Sequence, residues 1–153
     1  RCIDRNLFIA ANTDAHRPTS HDWPAGGEFF RTMTFIMAKS CTEEDIKEAL
    51  KAGRTIGYTA NNLVGSEKHL AAFINEAVTC RVVAENRKKG EVTYSLTNCC
   101  SVPFVLHRGK SIHTLAPFTT RNFTLKEGSL PRFVVDNMWH ANEQHPTVVI
   151  AID

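Results

Sequence analysis

The feature that most constrains the fold is a change of hydrophobic period near Thr79. Upstream, apolar residues recur at helical spacing, first as Ile46, Ala49 and Leu50 and then as Leu70, Phe73, Ile74 and Ala77. Downstream they alternate every second residue in short runs separated by turn residues. Successive side chains on a strand point to opposite faces, so a period of two marks a sheet with one buried face. The runs are 81–84, 92–96, 102–106, 111–115, 119–125, 132–136 and 147–152. Seven short strands in about 75 residues predict a small antiparallel, immunoglobulin-like β-sandwich over residues 79–153. Lys89-Gly90 and Arg108-Gly109-Lys110 supply two of its hairpin turns.

Residues 1–78 read as mixed helix and strand, which makes the whole chain α+β. Residues 31–39 are strand-like, with Met33, Phe35 and Met37 alternating against Thr32, Thr34 and Ile36. Thr42 then caps a helix, with Asp45 three residues on approximating a capping box and Glu43 and Glu44 at the positive helix end. Gly53 stops that helix, and residues 54–59 form a short strand with Arg54 as an ion-pairing residue at its start. Ser66 caps a second helix. His69 lies off that helix's apolar stripe, so it is expected to be solvated.

The chemistry-bearing stretch is residues 7–18. An apolar run, Leu7-Phe8-Ile9-Ala10-Ala11, feeds into Asn12-Thr13-Asp14-Ala15-His16-Arg17-Pro18. The pattern predicts a buried strand with Asp14 and His16 two residues apart at its tip. A carboxylate and an imidazole placed together suit a divalent metal, although both are also ordinary turn residues. Pro18, Pro24 and Gly26-Gly27 make residues 17–31 a loop. Within it, His21, Asp22 and Trp23 either cover the mouth of such a site or contact a substrate phosphate; alternatively, His21 is simply solvated and Trp23 a packing plug.

Residues 12–18, followed by Thr34-Phe35-Ile36-Met37-Ala38-Lys39 and then by residues 42–55, resemble the C-terminal end of PHP (polymerase and histidinol phosphatase) domains. The resemblance runs from about Leu7 to Gly65. It implies the C-terminal piece of a distorted (β/α)7 barrel, carrying a site of two or three metals that hydrolyses phosphoesters. The family's last D-x-H motif maps onto Asp14 and His16 only, as metal ligands; outside that mapping, Arg17 and His21 are the candidates for substrate contact. The intact parent would then use divalent Mn, Zn or Fe, act on a phosphorylated small molecule or nucleotide, and need an N-terminal partner portion of the PHP domain.

The family's H-x-H motif is absent, and a chain starting at Arg1 begins too late to contain it. Two ligands cannot close a coordination sphere. The chain is therefore expected to be a C-terminal fragment, inactive and without bound metal in isolation. Two readings from other classes compete with it. One is a non-catalytic interaction or carbohydrate-binding β-sandwich attached to a degenerate PHP domain; the other is a structural sandwich that covers a barrel or mediates dimerisation.

Bulk charge gives nucleic-acid binding no support, since the 153-residue chain carries a net charge of +2. Its basic run, Arg87-Lys88-Lys89, reads as a solvated hairpin turn. No apolar run approaches the length of a membrane span. Five cysteines without C-x-x-C spacing are expected to be reduced thiols, and Cys99 and Cys100, if in a strand, face opposite ways. His107, His113, His140 and His145 are scattered over different segments and make no recognisable site; Trp139 and His140 fall in an expected loop.

Overall fold

The computed structural model describes residues 7–18 and 30–153. In chain order the elements begin with β1 (Met33–Ile36), α1 (Glu43–Lys51), β2 (Thr55–Thr59), β3 (Asn62–Val64) and α2 (Glu67–Ala77). They continue with β4 (Val78–Asn86), β5 (Glu91–Asn98), β6 (Phe104–Arg108), β7 (Ser111–Leu115), β8 (Thr120–Lys126), β9 (Arg132–Val135), β10 (Met138–Trp139) and β11 (Thr147–Val149). Two compact units emerge, Arg1–Leu70 with Met138–Gln144, and Ala71–Asn137 with His145–Asp153.

The first unit holds a four-stranded sheet in the order β1-β2-β3-β10. Its first three strands are antiparallel, and β10 runs parallel to β3. Strand β2 is central and buries Thr55, Ile56, Gly57 and Tyr58. The β2–β3 hairpin turns through Ala60 and Asn61, both at positive φ, which matches the twist of the flanking strands. Strand β3 was not expected, because three residues are too few to show a period.

Helix α1 starts where its sequence says it should. The Thr42 hydroxyl accepts from the Asp45 amide at 3.3 Å, and Ser40 donates to the Asp45 carboxylate at 2.6 Å. Ala49 is fully buried with Ile46 and Leu50 beside it, and Gly53 at φ +67 turns the chain out. Arg54 then grips Glu48 through both guanidinium ends and donates from Nε to the Met37 carbonyl at 3.1 Å. The bidentate hydrogen bond holds the Glu48 carboxyl below its ordinary pKa and raises that of Arg54.

In α2 the Ser66 hydroxyl accepts from the His69 amide at 3.3 Å, while Leu70 and Ile74 are fully buried. His69 departs from the solvated expectation, because it is half-buried. Desolvation pushes its pKa down, with Lys68 and Arg54 adding to the effect.

The second unit contains two antiparallel sheets, β4-β5-β8 and β11-β9-β6-β7, as a β-sandwich requires. The strands fall where the period of two placed them, and no helix occurs from Val78 to Asp153. Val78, Cys80, Tyr94, Leu96 and Phe123 are buried on the first sheet; Phe104, Leu106, Leu115, Phe133, Val135 and Val148 are buried on the second. Phe123 and Phe133 meet edge to face at 5.0 Å, which joins the two sheets through the interior. Each such fully buried side chain contributes roughly 1.5–3 kcal/mol of hydrophobic stabilisation. Among the described residues Cys41, Cys80, Cys99 and Cys100 are free thiols, and burial raises the pKa of Cys80 and Cys100.

One segment departs from the expected order. Trp139, expected in a loop, instead forms β10 with Met138, and its indole donates to the Asn62 side chain at 3.0 Å. Two residues cannot display a period, so the pairing is visible only in three dimensions.

Candidate functional site

The segment carrying Asp14 and His16 is built differently from the buried strand expected of it. Residues 7–18 join no ladder, Leu7 and Phe8 are more than half exposed, and Ile9 and Ala11 are half-buried. Threonine hydroxyls replace the carbonyls of a neighbouring strand. The Ile9 amide donates to Thr55 Oγ1 at 2.8 Å and the Ala11 amide to Thr34 Oγ1 at 2.8 Å. The Thr34 hydroxyl donates in turn to the Ala11 carbonyl at 3.1 Å. Side-chain acceptors satisfy the backbone without continuing the sheet, and that is the physical reason for the difference.

Gly57 of β2 makes the approach possible. A Cβ there would stand 3.0 Å from Ile9 Cγ2 and 3.3 Å from Ala11 Cβ. A glycine inside a strand is the sequence signal for such a close approach. Nothing local in the sequence marks Thr34 and Thr55 as the residues that position this segment.

Beyond Thr13 the chain turns sharply. Asp14 adopts φ +48, a left-handed conformation that Asp tolerates better than most residues. The Thr13 hydroxyl accepts from the Ala15 amide at 3.3 Å. His16 Nδ1 lies 2.7 Å from the Asp14 carbonyl oxygen. A carbonyl can only accept, so Nδ1 carries the hydrogen in this contact and the neutral ring has its lone pair on Nε2. Metal-binding histidines are oriented in the same way, by donating their second nitrogen to a carbonyl or carboxylate.

Asp14, His16 and Arg17 are all exposed within this one turn, and His21 lies outside the described residues. The pair offers a carboxylate and an imidazole nitrogen, a donor set that suits a divalent ion as part of a larger sphere. Among the described residues no group of three or more His, Cys, Asp or Glu could hold a metal. His107 bonds the Gly109 carbonyl at 2.9 Å and approaches Asp136 at 3.5 Å, while His113 rests edge-on against Phe123 at 5.3 Å.

No protein-family model matches the chain, and no curated protein matches it. Among solved structures it is similar to a two-domain protein of Bacteroides vulgatus that contains a predicted PHP-like metal-dependent phosphoesterase. The TM-score is 0.85 at 28% identity, and the match covers 97% of this chain and 47% of the other. The chain thus spans about half the length of that protein.

Proposed function

We propose that the chain is the C-terminal part of a metal-dependent phosphoesterase of the PHP kind. The observation that carries the reading is the match of nearly the whole chain to about half of a two-domain PHP-like protein. In this reading the first unit, Arg1–Leu70 with Met138–Gln144, is the end of the barrel domain, and the second unit is an immunoglobulin-like sandwich appended to it. The rest of the barrel covers Leu7, Phe8, Phe30 and Ile36, large apolar side chains left exposed here.

Asp14 and His16 act as two ligands among several, His16 through Nε2, held in its tautomer by the Asp14 carbonyl. Bound divalent Mn, Zn or Fe supplies polarisation of the phosphoryl oxygens and ionisation of water. Arg17, exposed beside His16, and His21 take the phosphate end of a phosphorylated small molecule or nucleotide. Two ligands do not complete a coordination sphere, so the isolated chain is expected to hydrolyse no phosphoester.

The test uses the parent protein with Asp14→Asn and His16→Ala. Bound metal, measured by mass spectrometry, and aryl phosphate hydrolysis should both fall by about 100-fold or more, beyond the 10–100-fold typical of losing an outer-shell partner. Melting temperature should change much less than hydrolysis, because both residues are exposed on this part of the protein. Variants that kept full activity and metal content would reduce the D-x-H match to a coincidence of turn residues.

A further inference from the structure

The sandwich has one side where its pattern breaks. Strand β7 ends the sheet β11-β9-β6-β7 and β8 ends the sheet β4-β5-β8, and a cleft of about 490 Å³ lies between these two edges. Register decides which lining residues belong to the inward faces. His113 pairs with the fully buried Leu106, Ser111 with Arg108 two positions further along β6, and Arg121 with the fully buried Leu96. Paired residues share a face, so Arg108, Ser111, His113 and Arg121 all occupy inward positions, where the pattern calls for apolar side chains. Phe123 and Leu125, also at inward positions, add apolar lining.

We propose that this cleft binds a small organic oxyanion, a phosphate or sulfate monoester on a sugar-sized body. Two guanidinium groups and an imidazole line it, and no carboxylate does. Arg108 is fixed by donating from Nη1 to the Leu130 carbonyl at 2.9 Å and the Arg132 carbonyl at 3.4 Å. Arg121 has no hydrogen bond or ion pair to any described residue, so its fork of donors is available. The volume lies within the ~300–1,000 Å³ range of ligand pockets, more room than a bare phosphate needs. The site lies wholly in the second unit and does not depend on the metal reading of Asp14 and His16.

The competing role for an inward charge on an edge strand is to discourage pairing with another chain, and that role needs no ligand. A titration of the isotopically labelled protein, followed by amide NMR, separates the two. Glucose 6-phosphate, glucose 6-sulfate and glucose serve as probes. Saturable shifts confined to β7, β8 and the β6–β7 turn are expected with the phosphate or the sulfate ester and not with glucose. Tighter binding of the phosphate ester assigns that source; tighter binding of the sulfate ester assigns the other. Arg121→Gln should weaken binding about tenfold or more, the worth of one charge-assisted hydrogen bond, and Arg121→Lys less. Arg87→Gln, on the β4–β5 turn, should leave binding unchanged. No saturable shift with either ester, equal binding of glucose, or binding unaltered by Arg121→Gln would each overturn the proposal.

Discussion

Asn98 offers the sharpest test of how the second unit is held together. It is fully buried at the end of β5, a place where an amide survives only if every polar atom finds a partner. Its Nδ2 donates to the carbonyls of Val102 at 2.8 Å, Leu115 at 3.2 Å and Ala116 at 3.2 Å, and its Oδ1 accepts from the Cys100 amide at 3.0 Å. The one side chain therefore closes the 99–102 turn and ties it to the end of β7. Asn98→Ala removes the partner of the part-buried Cys100 amide and of the buried Val102 and Leu115 carbonyls, at roughly 1–3 kcal/mol for a buried group left unpaired and less for the amide. A loss of about 3 kcal/mol is expected, a large fraction of the ~5–15 kcal/mol typical of a folded protein. Urea denaturation followed by far-UV circular dichroism reads it as a lower midpoint with an unchanged slope. Thr93→Ala, which removes an exposed hydroxyl pair with Thr124, serves as the control and should cost under about 0.5 kcal/mol. An Asn98→Ala variant no less stable than that control would refute the idea that this amide network locks the turn.

Two further outcomes follow from the geometry. Gly57→Ala forces Ile9 and Ala11 away from β2 at roughly 1–3 kcal/mol of overpacking, only partly offset by the ~0.4–1 kcal/mol gained in chain entropy. Amide exchange at Ile9 and Ala11 should accelerate while β4 and β5 keep their protection, and unchanged exchange would show that the segment does not rest on Gly57. His69 has a folded pKa below its ordinary 6.5, so its contribution to stability is full above pH 6.5 and declines as pH falls below it, where the unfolded chain takes up the proton first. His69→Gln should flatten that part of the stability profile; a profile identical to wild type would remove His69 as its source.

Local rules in the sequence determined most of the elements. Thr42 and Gly53 mark the ends of α1 because a cap hydroxyl and a left-handed glycine act within a few residues of the helix they bound. Strands β4 to β9 and β11 were legible because alternation over several residues reports one buried face, whatever that face meets. The D-x-H pair was legible only as a candidate pair of donors, and the His16 hydrogen bond was not legible at all, since it is made only once Asp14 turns left-handed. Tertiary structure alone decided that residues 7–11 lie over Gly57 on two threonine hydroxyls, and that residues 138–139 pair beside β3. It alone brought Arg108 and Arg121 to one open edge. Each of these joins positions far apart in the chain, and a residue's periodicity carries no information about which distant partner satisfies its hydrogen bonds or shares its face.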